Sequence, residues 1–460
     1  MKTIKFLCMV LIITLIGGLM CGCGNETATD PNLTTITMWS SNSHSKAVME
    51  KLVNEFNNGE GKENGIKFEY VVKEGDSMSK SLELALQTGQ APDIMPTSGT
   101  LASMVENGYV AALEDLPGGK DYLAKYDPSI MVEGRNTYKG KTYAVPVSVT
   151  TRGLIYNKDM FKAAGIVDEN GEPTPPKNFD EMREYAKKLT DRSKNQFGVI
   201  FPLKWSGWVG SDITTVLLGS VGHSGFNPVN GKYDYSGLGP IISAYMGMIE
   251  DKSNYPGADG IDNDTARAYF SQGNIGMKFA YSFDVSVLND QFPATCDWGV
   301  APMPVIDENN AYLQHMKHSP APYINAKSVE TKGGDKLLKV IEWFTSDKVR
   351  VALYQNCSEL PISWNIVKDA KLDTEKTGWK EFAQMVEISS LPNTEPYTDM
   401  TGLLSLNEII MNDIMSGNVS VKAALDKYSK DVTGAAKKYY ELHTDESFES
   451  YINKDWNIKR

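Results

Sequence analysis

"AVPVSVTTRGLIYNKDMFKAAGI" runs from Ala144 to Ile166. It starts as an apolar segment and ends as a lysine-bearing helix. Thr150, Thr151, Arg152 and Gly153 interrupt what is otherwise a run for a buried strand. An arginine and two hydroxyls there need polar partners, because an uncompensated buried charge is costly. The segment therefore raises the question of what those polar groups face.

Strands and helices alternate on both sides of it. "TTITMW" (Thr34 to Trp39) is β-branched with period two, a strand signature. "SHSKAVMEKLVNEFNN" follows with Val48, Leu52, Val53 and Phe56 at helical spacing, and Ser43 or Ser45 is placed to cap it. "IKFEYVV" is a second strand. "DSMSKSLELALQTG" is a helix ended by Gly89. A short buried strand surrounds Ile94, and "TLASMVENG" is helical. After Ile155 come the helix "NFDEMREYAKKLT", the strand "FGVIFPL" and the helix "GPIISAYMGMIED". "DNDTARAYFSQGNIGMKFAYSFDVSVLND" gives helix, strand, helix, and "GDKLLKVIEWFTSDKVRVALYQN" one long amphipathic helical region. Such alternation predicts an α/β fold with sheets covered on both faces.

The N-terminus reads as a targeting segment. Lys2 and Lys5 precede the apolar run Phe6 to Met20, which is short for a membrane span. Residues 1–22 resemble a bacterial lipoprotein signal, with Cys23 as the lipidated new N-terminus and 23–33 as a flexible tether. An ordinary cleaved signal is the alternative. The 460 residues suggest two or three domains, and the formal charge is −12, or −14 without Lys2 and Lys5. That balance gives no electrostatic reason to bind nucleic acid. No cofactor and no metal are expected, since the cysteines and histidines lack ligand spacing. Cys296 and Cys357 are the cysteines left in the body, as a bridge or as two buried thiols.

Several segments together resemble one family. "TYAVPVSVTTRGLIYNKDMFKAAGI", "NFDEMREYAKKLT", "ARAYFSQGNIGMKFAYSFDV", "DWGVAPMPV", "INAKSVETKGGDKLLKVIEWFTSDKVRVALYQNCSELP" and "IMNDIMSGNVSVKAALDK" are similar, in order, to the extracellular solute-binding lipoproteins of ABC importers (family 1, the sugar and oligosaccharide branch). The sequence departs from the pattern at Phe283, where tryptophan is frequent. The resemblance implies two α/β lobes of the type II periplasmic-binding-protein fold, joined by hinge crossings around a ligand cleft. The first lobe would comprise 34–146 plus 319–357, and the second 147–318 plus 358–460. It also implies a sugar or oligosaccharide ligand, ABC permease subunits as partners, attachment to the bacterial cell membrane through the N-terminal lipid alone, and a monomer.

Sugars offer hydroxyls at their edges and C–H patches on their faces, so aromatic rings beside short polar side chains are the sites to look for. Trp39, Asn42 and His44 lie at a strand end, where open α/β sheets bind ligands. Thr97 and Ser98 follow the strand at Ile94 in the same way. Thr151 and Arg152 would face the cleft, and Arg152 suits vicinal hydroxyls or a carboxylate. The alternative for Arg152 is a structural pair with a nearby carboxylate. Trp205 and Trp208 sit in the Gly- and Ser-rich "KWSGWVGSD", suited to stacking. Tyr281, Ser282 and Asp284 end the strand "MKFAYSFD"; helix capping is a compatible role for the last two. "HMKHS" (His315 to Ser319) precedes the return crossing. Trp298, Trp343, Trp379 and Trp456 read as packing.

An enzyme is the weaker expectation. The sequence has no Gly-x-Ser-x-Gly, phosphate loop or His-Glu-x-x-His. A non-sugar solute in the same fold (a polyamine, an organophosphate or a chelate) is the other alternative. The acidic "DGIDNDT" reads as a solvated helix cap.

Overall fold

The computed structural model describes residues 32–73, 75–96, 99–127, 130–205, 207–318, 322–372, 375–443 and 447–460. The signal segment, most of the tether, Cys23, Thr97 and Ser98 lie outside the described residues. No described helix is long and apolar enough to cross a membrane.

Two four-stranded sheets organise the chain. In the first, Ile66–Val72, Thr34–Ser40 and Ile94–Met95 run parallel, and Tyr323–Ile324 joins the edge antiparallel. Helices Lys46–Asn58 and Gly334–Phe344 cover it, burying Val53, Phe56, Leu337, Ile341 and Trp343 against Ile36 and Phe68. In the second, Arg152–Asn157 lies between Trp298–Ala301 and Ile275–Tyr281, antiparallel to both, and Phe197–Val199 closes the order. Helices Phe179–Leu189 and Leu238–Glu250 bury Met182, Ala186, Ile241 and Met248 in its core.

Among the described residues, three short strands pair where the two lobes meet. Ser148–Thr150 is the centre of a small sheet, with Lys317–His318 and Leu360–Pro361 antiparallel on either side. Buried Arg350 fixes its entrance, donating from Nε to the Val147 carbonyl (3.2 Å) and from an NH2 group to that of Pro146 (3.1 Å). The opening stretch is thus hinge strand, then the second lobe's central strand. Gly153 is small because its chain neighbours crowd it: a Cβ there would stand 2.8 Å from the Ala301 carbonyl oxygen.

The structure differs from the sequence reading in local ways. The long helical region breaks at Thr345–Ser346 into Gly334–Phe344 and Asp347–Gln355, because the Ser346 hydroxyl caps the second helix. Ser45 stands at the N-cap of its helix, but its hydroxyl donates back to the Asn42 carbonyl instead. Asp262 does cap its helix, accepting from Thr265 N at 2.8 Å. Cys296 and Cys357 are not joined in a disulfide.

Candidate functional site

The loop after strand Thr34–Ser40 reaches from the first lobe to the hinge. There Glu359, 5 % exposed, accepts from Asn42 Nδ2 (3.0 Å) and Ser148 Oγ (2.6 Å), and His44 Nε2 lies 2.8 Å from Oε1. The His44 ring also stacks on Phe283 of the second lobe, with centroids 5.2 Å apart. Phe283 in turn stacks on Tyr281 at 5.0 Å and 2°. The Arg152 guanidinium lies 5.1 Å from the Tyr281 ring centre, and Trp205 meets that ring edge-on at 6.2 Å. A column of π-faces thus runs from the first lobe to the second, capped by a cation at one end.

Strand Ile275–Tyr281 and the turn after it place this column. Tyr281 and Phe283 are two residues apart and share a side. A buried charge network lies behind them. Tyr281 Oη donates to Asp212 Oδ1 (2.8 Å), Lys278 Nζ to Asn263 Oδ1 (2.8 Å), and Arg267 pairs with Asp284 at 2.5 Å. Burial raises the Asp212 carboxyl, against the pull of Lys278, Tyr281 and Arg152. Burial lowers the Lys278 amine to about 8.

Other predicted residues serve structure from behind. Thr151 is fully buried and its hydroxyl donates to the Phe382 carbonyl (2.8 Å). Ser282 is buried, and its backbone N–H donates to the Thr151 carbonyl (3.0 Å). Asp284 accepts from the Tyr281 N–H (3.1 Å). Trp208 is 1 % exposed and packs with Phe201 and Tyr245 in the second lobe's core, because the π-helical turn Trp208–Ile213 points its ring inward. Trp39 is half-buried against its own lobe, with Lys73 Nζ 3.8 Å from its ring centre.

Several residues escaped the sequence reading. Glu359 and Ser148 gave no pattern, since their acceptor and donors come from distant segments. Lys278 went unread, although it is the one charge inside the apolar strand "IGMKFAY". Arg135 and Glu395 come from loops without periodicity. Trp456, read as packing, is half-exposed, and its Nε1 donates to the Gly222 carbonyl (2.8 Å).

A second group lies beside the hinge. Arg152 has an NH1 nitrogen 3.4 Å from His315 Nδ1. Burial holds His315 well below its ordinary range, and Arg152, Arg135 and Lys317 push it further. His318 falls to about 4, through burial and then Arg135. Glu395, held by Ser224 Oγ at 2.9 Å, is raised by desolvation although water can touch it, as in a narrow cleft. Near this group a cavity of about 720 Å³ opens between the lobes. Tyr138 and Lys139 line it from the first lobe, and Asn393, Thr394, Tyr451 and Trp456 from the second. That volume is in the range of small-molecule sites.

The model of the family described as bacterial extracellular solute-binding protein matches residues 40–351. The chain belongs to this family. A maltotriose-binding protein of Pyrococcus abyssi is 24 % identical over 375 residues, covering 79 % of this chain and 75 % of the relative. A galactooligosaccharide-binding protein of Bacillus subtilis is 21 % identical, covering 82 % and 84 %. Among solved structures, the GacH receptor of Streptomyces glaucescens, studied with acarbose, aligns at TM-score 0.66 and 20 % identity over 90 % of this chain and 99 % of that one. The maltotriose-bound MalE domain of Bdellovibrio bacteriovorus aligns at 0.63 and 20 % identity, covering 88 % and 100 %. These likenesses are of fold: two lobes of the maltose-binding-protein type.

Proposed function

We propose that this solute-binding protein captures a sugar or oligosaccharide between its lobes and delivers it to an ABC permease. The observation that carries the reading is the ring column of Tyr281, Phe283 and His44, with Trp205 at its edge, running from the first lobe to the second beside amides and hydroxyls. Rings bind the C–H faces of a sugar and short polar groups bind its edges. The lobe limits supporting this reading are 34–146 with 319–357 and 147–318 with 358–460. Ligand contact falls to Trp39, Asn42, His44, Ser98, Arg152, Trp205 and Tyr281; Thr151, Trp208, Ser282 and Asp284 support them.

The family likeness also supports anchoring outside the cytoplasm through lipid on Cys23. Cys23→Ala should abolish labelling by palmitate and release the protein to the medium. Capture is without turnover, so maltotriose incubated with the protein should be recovered intact by mass analysis. The central test is calorimetry against a panel of neutral and acidic oligosaccharides, with X-ray scattering for compaction on binding. If no saccharide in the panel binds, the reading falls.

A further inference from the structure

We propose that the cavity of about 720 Å³ between the lobes is a second saccharide subsite, entered by the far end of a neutral oligosaccharide and walled by Tyr138 on one side and the C-terminal tail on the other. This rests on the sugar-binding reading and names the class of sugar.

The family match ends at residue 351, and most of the second lobe's wall of this cavity lies beyond it. The tail 447–460 crosses that lobe on backbone bonds: Leu313 N–H donates to the Ile458 carbonyl (2.8 Å), Arg460 N–H to that of Ala311 (3.1 Å), and Asn453 N–H to that of Pro228 (2.9 Å). These bonds leave Tyr451 and Trp456 half-exposed at the cavity. Trp456 Nε1 is tied to the Gly222 carbonyl (2.8 Å), and Tyr451 meets Tyr440 edge-on at 5.9 Å. Both rings are therefore held before a guest arrives, which lowers the ordering cost of binding. Opposite them, the first lobe's hairpin Thr137–Tyr138 and Lys141–Thr142 carries Tyr138, whose hydroxyl donates to Glu106 Oε1 (2.7 Å). Three rings from two lobes around one space suit the C–H faces of a pyranose.

The polar groups of the same wall suit its edges. Asn393, 7 % exposed, lines the cavity. Its Nδ2 donates to the carbonyls of Phe226 (3.2 Å) and Thr394 (3.3 Å), while no donor among the described residues reaches its Oδ1. A buried acceptor without a donor is costly, and a sugar hydroxyl supplies one. The charged lining residues are already engaged: Glu133 accepts from Thr137 Oγ1 and Lys139 N (both 2.9 Å), and Lys139 Nζ pairs with Glu106 at 3.5 Å. That leaves the space to a neutral guest. Chain continuity joins it to the ring column. His315, beside Arg152, pairs with Ser390, and Asn393 follows three residues later, about 10 Å at full extension. A guest seated on the column thus needs several units to enter the cavity.

The test is titration calorimetry of the whole mature chain with malto-, galacto-, xylo- and chitooligosaccharide ladders, each from monomer to pentamer. In the ladder that binds, the pentamer should bind about tenfold or more tighter than the monomer. Trp456→Ala and Tyr138→Ala should each remove most of that gain. Trp456→Phe loses the bond to Gly222 but keeps a ring, and should retain most of it. Trp205→Ala, at the column, should weaken short and long members alike. If length brings no gain, if either alanine variant keeps the gain, or if Trp456→Phe loses as much as Trp456→Ala, the subsite is overturned and the sugar reading stands. If no ladder binds, both are overturned.

Discussion

His44 Nε2 lies 2.8 Å from Glu359 Oε1, and the same imidazole stacks on Phe283 at 5.2 Å. One side chain of the first lobe thus touches both the hinge and the second lobe. Glu359 gathers three donors at once, Asn42, His44 and Ser148, in a place shielded from water.

Glu359→Ala leaves those donors short of an acceptor in a desolvated spot and should cost about 2–4 kcal/mol. Glu359→Gln keeps the shape and one acceptor oxygen; the Ser148 hydroxyl can turn to accept from the amide, so the cost should be about 1 kcal/mol. Urea unfolding of both variants decides it. Equal costs for Ala and Gln would remove the hydrogen-bond account.

The two tryptophans of "KWSGWVGSD" should separate. Trp208 fills the core beside Phe201 and Tyr245, so Trp208→Ala should lose about 3–5 kcal/mol of stability. Trp205 is half-buried and edges Tyr281. Trp205→Ala should lose about 1 kcal/mol of saccharide affinity, the worth of one aromatic contact, with a smaller effect on stability. Calorimetry and thermal unfolding, run on both, read the two effects apart. A Trp205→Ala protein with full affinity would remove that ring from the site.

That pair also shows what the sequence could and could not carry. Alternating strand and helix periods made the α/β plan legible, because it depends on local residue order; the hinge passage at Thr150–Arg152 followed from the family resemblance. Tyr281 was legible as a strand end. The direction in which Trp208 points was not, since Gly and Ser neighbours look alike in a loop and in a π-helical turn. Glu359 and Arg135 were not legible either: their meaning lies in partners from segments distant in sequence.

Lys278 is a buried amine whose charge is balanced by Asp212 and Asp284 and whose hydrogen bonds go to Asn263 and the Phe279 carbonyl. Lys278→Met removes the cation and leaves the carboxylates in low dielectric, which should cost about 3–5 kcal/mol at pH 7. The amine also carries a pH signature. Its value falls from 10.5 unfolded to about 8 folded, so the unfolded chain holds the proton more tightly between these values. Wild-type stability should therefore rise from pH 8 to 10, and the Met variant should lack that component. Chemical denaturation at the two pH values, for both proteins, measures it.

His318 gives the corresponding effect at acid pH. Burial, then the charge of Arg135, takes its value from 6.5 to about 4. Above 6.5 the ring is neutral folded and unfolded, and it contributes nothing to the pH slope. Between 6.5 and about 4 the unfolded ring takes a proton that the folded ring refuses, so stability falls as pH falls through that window. Glu395 works in the opposite sense, because its raised carboxyl takes up a proton more readily when folded. Substituting the histidine isolates its share. The loss of stability between pH 7 and pH 5 should be smaller in His318→Gln than in wild type by about 1 kcal/mol, allowing for water around a partly open ring. Urea midpoints for both proteins at both pH values give the comparison. Identical pH slopes would mean that His318 titrates in the fold as it does in the unfolded chain.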